Sequence, residues 1–346
     1  MERLPVAVVG ASGYAGAELV RLLLQHPRVQ LHGLYAQRKA GEEIAKDFPQ
    51  FAGILQGRYQ AFDADSIARE HAVVFLALPH GESARAAREL RSRDVTVLDL
   101  SADLRLRSSE IYAEWYGEHA APELLPHAVY GLVERHRHEL PNARLIAVPG
   151  CYPTAAILSL APLLDAKLIA PDGLIVDAKS GTSGAGREAQ RSTNFSEVGE
   201  GVRAYKVAAH RHTPEIEQEL ERAAGCALRL TFTPHLMPMT RGILATCYAT
   251  PTDRQRPAQA YADALRAAYA NEPFVTVVDQ PPDTTHVRGC NRVQVGAWYD
   301  ARAGRVIVCG VIDNLVKGAA GQALQCLNVM RGWPETTGLE ATAIFP

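Results

Sequence analysis

The run Val6-Ala7-Val8-Val9-Gly10-Ala11-Ser12-Gly13-Tyr14-Ala15-Gly16 decides the fold. Four consecutive apolar residues predict a strand that is buried on both faces. Three glycines follow at intervals of three, and residues 17–25 then carry leucines at helical spacing. A strand, a glycine-rich turn and a helix in immediate succession are the context of a dinucleotide-binding turn. The spacing is G-x-x-G-x-x-G, in place of the commoner G-x-G-x-x-G. The alternative interpretation is a glycine-rich turn that binds no ligand.

The glycines Gly10, Gly13 and Gly16 would let the backbone approach a pyrophosphate at the N-terminus of the helix. A second strand is predicted over Val29–Tyr35, and NAD enzymes usually carry an acid near its end that binds the ribose 2′-hydroxyl. This chain has Gln37-Arg38-Lys39 there. Because no acid is present and a guanidinium suits a 2′-phosphate, the sequence predicts NADP(H), with Arg38 as its partner. Alternatively, the two cations are a solvated pair on a loop.

The alternation of strand and helix continues through the N-terminal half, with strands predicted at 73–78 and 95–98 and a helix at 82–91. It predicts a Rossmann-type, doubly wound parallel sheet. Ligands of such sheets gather at the carboxyl ends of the strands. The loop 99–103 is expected there, and Arg105 just beyond it is either an anion-binding residue or an ordinary surface arginine.

A second decisive stretch is Pro149-Gly150-Cys151-Tyr152-Pro153-Thr154, which predicts a strand end, a tight turn and a helix start. Gly150 allows an unusual backbone angle, and Pro153 suits a first helical turn. Cys151 is therefore expected where backbone N–H groups and the positive end of a helix converge, which favours the nucleophilic thiolate. The same N–H groups would hold a developing oxyanion. A buried structural cysteine is the alternative.

Histidines cluster in the run His210-Arg211-His212-Thr213-Pro214. Thr213 is a good N-cap and Pro214 a good first residue of the next helix. The positive end of that helix disfavours a charged imidazole, so His212 is expected to be neutral and able to accept a proton. His210 would steer a substrate. Metal ligation by the two histidines is the competing interpretation, but no third ligand with suitable spacing is near in sequence, and we predict no metal.

Beyond Cys151, predicted strands outnumber helices, which indicates an α+β second domain with a mostly antiparallel or mixed sheet. The predicted strands include residues 243–249 and 305–312. The loop 180–186, Ser-Gly-Thr-Ser-Gly-Ala-Gly, suits a segment that wraps a ligand, and a flexible loop is the alternative. Asn314 begins a last helix and either hydrogen-bonds a nicotinamide amide or caps that helix. We place a cofactor-binding domain at residues 1–150, completed by the C-terminal helix at 314–346, and a catalytic and oligomerisation domain at 151–313.

Composition excludes several classes of protein. A chain of 346 residues, with 47% apolar and 21% charged residues, is typical of a two-domain globular protein. A net charge of −2 provides no basic surface for nucleic acid, and no apolar run is long enough to span a bilayer. The strand predicted at 6–9 argues against a secretory signal, and six cysteines without close paired spacing argue against a metal knuckle or a disulfide scaffold. We expect a cytoplasmic protein without nucleic-acid or membrane partners.

A cysteine, a nicotinamide cofactor and a histidine are the groups required for reductive chemistry at an acyl carbon. The motifs together resemble N-acetyl-gamma-glutamyl-phosphate reductase, a family similar to the aspartate-semialdehyde dehydrogenases in fold and mechanism. The resemblance covers nearly the whole chain and is carried by Gly10–Gly16, Leu78–Gly81, Asp99–Arg105, Pro149–Thr154, His210–Ile216 and Asp313–Gln322. It implies the NADPH-dependent reduction of the acyl phosphate N-acetyl-L-glutamyl 5-phosphate to the semialdehyde, with release of phosphate, in arginine biosynthesis.

The resemblance also implies roles for individual residues. Cys151 is the nucleophile that becomes acylated to a thioester, and His212 is the acid and base that assists it. His210, Arg105 and Glu215 contact or orient the substrate. NADP contacts beyond the glycines are expected from Ser12, Tyr14, Ala15, Arg38, Ser180, Ser183, Gly184 and Asn314. The resemblance further implies a homo-oligomer, a dimer or tetramer built through the second domain.

Three alternatives remain open at this point. A related reductase acts on carrier-bound aminoadipyl phosphate in lysine biosynthesis, and that subgroup tends to have Asn-Ala where this chain has Tyr152-Pro153. A regulatory NADP sensor would bind the cofactor but lack a reactive thiol. A metal hydrolase would use His210 and His212.

Overall fold

The computed structural model describes residues 3–345, and the chain divides into two compact units. The first unit contains the chain up to Pro149 together with Ala319–Glu340. The second unit contains Gly150–Gly318 and the residues from Ala341 onward. Each unit has its own β-sheet.

The elements are numbered along the chain. The strands are β1 (Leu4–Val9), β2 (Val29–Tyr35), β3 (Val73–Leu76), β4 (Thr96–Asp99), β5 (Val129–Tyr130), β6 (Leu145–Ala147), β7 (Leu174–Ser180), β8 (Arg203–Ala204), β9 (Leu230–Leu236), β10 (Ile243–Ala249), β11 (Val275–Val277), β12 (Val293–Asp300) and β13 (Arg305–Ile312). The α-helices are α1 (Tyr14–Gln25), α2 (Ile44–Asp47), α3 (Ala64–Glu70), α4 (Glu82–Arg91), α5 (Ser109–Tyr116), α6 (Val133–His136), α7 (Cys151–Asp165), α8 (Phe195–Val198), α9 (Thr213–Ala224), α10 (Gln259–Ala268) and α11 (Gly321–Met330). A π-helical turn, Val316–Ala320, precedes α11, and 3-10 turns lie at Gln37–Lys39, Pro49–Phe51, Pro122–His127, Leu140–Asn142, Thr182–Ala185, Arg191–Thr193 and Thr284–Val287.

The sheet of the first unit is parallel throughout, with the strand order β2-β1-β3-β4-β6-β5. Val6, Ala7 and Val8 of β1 are fully buried, as expected for a central strand that is covered on both faces. Because β2 and β3 lie on opposite sides of β1, the winding of the chain reverses there. The predicted Rossmann-type, doubly wound sheet is confirmed.

The C-terminal helix α11 packs within the first unit. The side-chain amide of Gln322 and the thiol of Cys326 both donate to the carbonyl oxygen of Gly131, at 2.7 and 3.0 Å. The helix ends at Met330, because Gly332 takes a positive φ of 64° and Pro334 follows.

The sheet of the second unit is mixed, with the strand order β11-β12-β13-β10-β7-β9-β8. The pairs β11/β12 and β7/β9 are parallel and the other four are antiparallel. In β10, fully buried residues alternate with half-buried ones, and α7 packs against β10 and β13. The predicted α+β architecture with a mixed sheet is confirmed. No helix among residues 3–345 has the length and apolar character needed to cross a membrane.

Candidate active site

The glycine-rich turn after β1 is held so tightly that side chains do not fit at two of its positions. Gly10 has a positive φ of 86°, and a Cβ there would stand 2.3 Å from the carbonyl oxygen of Ala77. A Cβ on Gly16 would stand 2.4 Å from the carbonyl oxygen of Gly10. At Gly13 the nearest atom would be 3.7 Å away, so the backbone there remains open to an approaching group. The turn therefore has the shape that a pyrophosphate requires.

The start of α1 offers a positive helix end to an anion. Gly13 occupies the N-cap and has no side chain with which to cap the helix, and the first turn contains no acidic residue. Ser12 and Ala15 are half-buried beside Gly13, and Tyr14 is exposed. These residues fit a dinucleotide, because exposed backbone N–H groups at a helix N-terminus bind phosphate.

The end of β2 is fixed against this turn, and Arg38 follows it directly. The carbonyl oxygen of Tyr35 accepts hydrogen bonds from the N–H groups of Gly10 and Ala11, at 2.8 and 3.2 Å. Arg38 is exposed in the 3-10 turn that comes next. Lys39, its neighbour, forms an ion pair with Asp47. The two predicted cations thus differ in exposure, since Lys39 is half-buried and Arg38 is exposed.

Arg105 is buried and braces the loop that follows β4. Its Nε donates to the carbonyl oxygen of Val148 at 2.8 Å, and one terminal nitrogen donates to that of Leu100 at 2.7 Å. Its contacts therefore fix the backbone just ahead of the cysteine in sequence. The role predicted for Arg105 in substrate binding remains a proposal.

Asp103, in the predicted ligand loop 99–103, organises the neighbouring loops through contacts that sequence reasoning did not predict. Its carboxylate accepts hydrogen bonds from the N–H groups of Gly81 and Ala84 at the start of α4, and from the hydroxyl of Tyr112 at 2.6 Å. An acid at a helix N-terminus is a stabilising arrangement. Gly81 and Ala84 lie 22 and 19 residues earlier in sequence and Tyr112 lies 9 residues later, and no local pattern indicates such a pairing.

Cys151 is the first residue of α7, at the positive end of a fifteen-residue helix, and is half-buried. Gly150 is the N-cap, with φ −68° and ψ 154°. The expectation of an unusual angle at Gly150 was wrong, since any residue adopts these values. A different glycine is needed here, because a Cβ on Gly318 would stand 2.7 Å from the Cβ of Cys151. Gly318 lies 167 residues further along the chain, and sequence reasoning did not connect the two.

Glu215 links the turn at Gly150, just before Cys151, to helix α9. It is buried in the first turn of α9 and accepts a 2.8 Å hydrogen bond from the N–H of Gly150. His212 is the N-cap of the same helix. The prediction that Thr213 caps the helix was wrong by one residue. Thr213 is the first helical residue, and its hydroxyl donates back to the carbonyl oxygen of His210 at 2.8 Å.

His210 is buried and held as a neutral imidazole. Its Nδ1 accepts a hydrogen bond from the N–H of His212 at 3.1 Å, which assigns the proton to Nε2. Burial, aided by the charges of Lys206 and Arg211, lowers the pKa of His210 to about 3. A neutral imidazole in this tautomer has Nε2–H as its hydrogen-bond donor.

Aromatic rings surround the two histidines. The ring of Tyr152 lies edge-on to those of His210 and His212, with centroids 5.5 and 6.0 Å apart. The hydroxyl of Tyr205 donates to that of Tyr152 at 3.0 Å. Burial raises the pKa of Tyr152, and it raises the pKa of Tyr205 to about 12. Both phenols therefore stay protonated. Their rings pack beside the histidines, and their hydroxyls hydrogen-bond to each other.

The four residues predicted as cofactor contacts in the second unit lie together. The side-chain nitrogen of Asn314 donates to the hydroxyl of Ser183 at 2.9 Å, and its oxygen accepts from the N–H of Gly242 at 2.8 Å. A Cβ on Gly184 would stand 3.1 Å from the hydroxyl oxygen of Ser180. Asn314 is no helix cap, since the carboxylate of Asp313 accepts from the N–H groups of residues 315 and 316. Its amide instead fixes the glycine-rich loop.

Comparisons with known proteins agree with this geometry. Residues 5–143 match the family described as "Semialdehyde dehydrogenase, NAD binding domain", and residues 151–314 match "Semialdehyde dehydrogenase, dimerisation domain". The first match indicates a nicotinamide dinucleotide cofactor. A curated protein of Heliobacterium modesticaldum, named N-acetyl-gamma-glutamyl-phosphate reductase, is 50% identical over 98% of this chain and 99% of its own length.

Two solved structures share the fold. Aspartate semialdehyde dehydrogenase II of Vibrio cholerae is 18% identical, with a TM-score of 0.72, and the match covers 96% of this chain and 99% of that one. Aspartate semialdehyde dehydrogenase with NADP from Candida albicans is 15% identical, with a TM-score of 0.70, over 95% and 99% of the two chains. At these identities the likeness shows the fold alone.

Proposed function

This chain belongs to the N-acetyl-gamma-glutamyl-phosphate reductase family, and we propose that it reduces N-acetyl-L-glutamyl 5-phosphate with NADPH. The products are N-acetyl-L-glutamate 5-semialdehyde and phosphate, and the pathway is arginine biosynthesis. The chain is an oxidoreductase. The observation that carries the proposed mechanism is the position of Cys151 at the start of α7, tied through Glu215 to the helix that His212 begins.

The first half of the proposed reaction is acyl transfer to the protein. His212 takes the proton of the Cys151 thiol, and the sulfur attacks the acyl carbon of the substrate. A C–S bond forms, the bond from carbon to the phosphate oxygen breaks, and phosphate leaves with the electron pair. The N–H groups of the first turn of α7 stabilise the oxyanion, and Nε2–H of His210 holds a substrate oxygen.

The second half is reduction of the thioester. NADPH, when bound, supplies the hydride that adds to the thioester carbon. His212 then provides the proton that the resulting oxyanion needs. As His212 takes the hydroxyl proton back, the carbonyl bond of the aldehyde forms, the C–S bond breaks and Cys151 leaves as thiolate. The positive end of α7 stabilises that thiolate and prepares it for the next turnover.

We propose that residues of the first unit determine which nicotinamide cofactor binds. The glycine turn and the N-terminus of α1 bind the pyrophosphate, with contacts from Gly10, Ser12, Gly13, Tyr14, Ala15 and Gly16. Arg38 binds the 2′-phosphate, which makes the cofactor NADP(H). The cluster of Ser180, Ser183, Gly184 and Asn314 supports the nicotinamide end.

The matched dimerisation domain supports a homo-oligomer, and six free cysteines are typical of a cytoplasmic location. The reverse reaction tests the function most simply. Supplied with N-acetyl-L-glutamate 5-semialdehyde, phosphate and NADP, the protein should produce the absorbance of NADPH only when phosphate is present. Turnover of the aminoadipate semialdehyde derivative alone would instead assign the chain to lysine biosynthesis.

A further inference from the structure

Three potential metal ligands meet in the first unit, outside all residues used above. They are His32 on β2, Glu70 at the end of α3 and His71 directly after it, and their ligand atoms all lie within 4.8 Å of one another. Nδ1 of His32 lies 3.3 Å from Nε2 of His71 and 3.5 Å from a carboxylate oxygen of Glu70. Two ligand atoms on a tetrahedral zinc ion, each bonded at about 2.0–2.1 Å, are about 3.3 Å apart. The two separations from His32 are close to that spacing.

His32 reaches this position because β2 is irregular there. Along the pairing of β1 with β2, Val6 is opposite Leu31 and Ala7 is opposite Gly33, so His32 is an extra residue in a β-bulge. A bulge changes the direction of a side chain and is usually kept for a reason. Here it allows the imidazole of His32 to approach that of His71, with the ring centroids 5.3 Å apart.

His71 is already arranged as a ligand. Its Nδ1 lies 3.0 Å from the carbonyl oxygen of Ile67, which only accepts hydrogen bonds, so Nδ1 carries the proton and the lone pair is on Nε2. Metal-binding histidines are typically held in this way by a carbonyl on the second nitrogen.

A buried hydroxyl adjoins the same place. Tyr35 is 1% exposed, and its hydroxyl has no hydrogen-bond partner in the structure. That oxygen and Nε2 of His71 would stand 3.0 and 3.1 Å from a Cβ on Gly33, so both lie over this glycine. Buried hydroxyls are rarely left without a partner. A water on a metal ion at the open coordination position would provide one.

We propose that His32, Glu70 and His71 bind a divalent transition-metal ion of the Zn²⁺ type, with water completing the coordination. Two imidazoles and one carboxylate are a ligand set that zinc accepts with a position left open. The ion would brace β2 against the end of α3. Because the carbonyl oxygen of Tyr35 holds the glycine turn, this brace would also stiffen the turn.

The test is a Zn²⁺ titration of the full-length protein. The protein is first stripped of metal with a chelator, and a chromophoric chelator then competes with it for Zn²⁺. The Cys151→Ser background removes a competing thiol. We expect one Zn²⁺ per chain, an affinity at least about tenfold lower in His32→Gln and in Glu70→Gln, and a raised melting temperature with Zn²⁺ only when the site is intact. His138→Gln is the matched control, since His138 is exposed and is not one of the three clustered ligands.

His32 and Glu70 are about half exposed, so these two replacements test binding in a protein that still folds. Replacing His71 is the secondary test, because that ring is buried. Stoichiometric binding that is lost in both exposed variants and kept in His138→Gln supports the proposal. The absence of stoichiometric binding, or binding that survives His32→Gln unchanged, overturns it and leaves a hydrogen-bonded histidine pair.

Discussion

The N–H of Gly150 and the carboxylate of Glu215 are joined by a 2.8 Å hydrogen bond, although 65 residues separate them in sequence. Gly150 caps the helix that begins with Cys151, and Glu215 lies in the first turn of the helix that His212 caps. One buried contact thus fixes the nucleophile's helix relative to the helix of its proposed acid and base.

Replacing Glu215 should therefore uncouple the two helices. Glu215→Ala leaves a buried N–H without its partner, which costs about 1–3 kcal/mol of stability. Misplacement of the reacting groups should lower kcat about a hundredfold. Glu215→Gln keeps an oxygen acceptor and should retain much more activity. Steady-state kinetics with NADPH would show the difference, and an alanine variant with wild-type kcat would contradict the coupling.

His212→Asn should lower kcat by about 10²–10⁴, the usual contribution of a general acid or base. The KM for NADPH should stay nearly unchanged, because the proposed role concerns proton transfer and not cofactor binding. His138→Asn, a replacement of an exposed histidine, serves as the control. An unchanged kcat in His212→Asn would remove this residue from the proposed chemistry.

His210 makes stability depend on pH in a direction that can be measured. Its folded pKa of about 3 is below the unfolded value of about 6.5, so the unfolded chain binds one more proton between these limits. The free energy of unfolding should fall as the pH is lowered from about 6.5 towards 3, and this loss should be smaller in His210→Asn. Urea unfolding of both proteins across this range provides the measurement. Parallel pH profiles would show that His210 titrates normally.

Arg38→Asp should weaken NADP(H) binding. The loss of a charge-assisted hydrogen bond to the 2′-phosphate, about 1.5–3 kcal/mol, corresponds to a rise in the KM for NADPH of about tenfold or more. The KM for NADH should fall or stay constant, because an acid there suits a ribose 2′-hydroxyl. The control is Arg302→Asp, which makes the same change of charge at a position that is 91% exposed in the second unit. Equal effects on both cofactors would contradict the assignment of Arg38.

Local sequence patterns predicted the strands and helices whose formation depends on residues close together in the sequence. The strands Ile243–Ala249 and Arg305–Ile312 have the predicted bounds, because both are rich in β-branched and other apolar residues, which favour strands. The strand, glycine turn and helix at residues 4–25 also follow the prediction, because each step is fixed by its own residues.

Contacts between residues distant in sequence could not be predicted. The close packing of Gly318 on Cys151 and the bond from Gly150 to Glu215 depend on how strands and helices assemble. The error at Thr213 was smaller: a hydroxyl before proline suits a cap, but here that hydroxyl donates backwards to His210. The bulge at His32 is visible only in the pairing of β1 with β2.

Trapping of the acylated cysteine tests the central claim most directly. The protein is mixed with N-acetyl-L-glutamyl 5-phosphate in the absence of NADPH, quenched in acid, digested and analysed by mass spectrometry. The account predicts an N-acetylglutamyl adduct on the peptide that contains Cys151, its loss when NADPH is added before the quench, and neither adduct nor turnover in Cys151→Ser. An unmodified Cys151 together with full turnover by Cys151→Ser would contradict it.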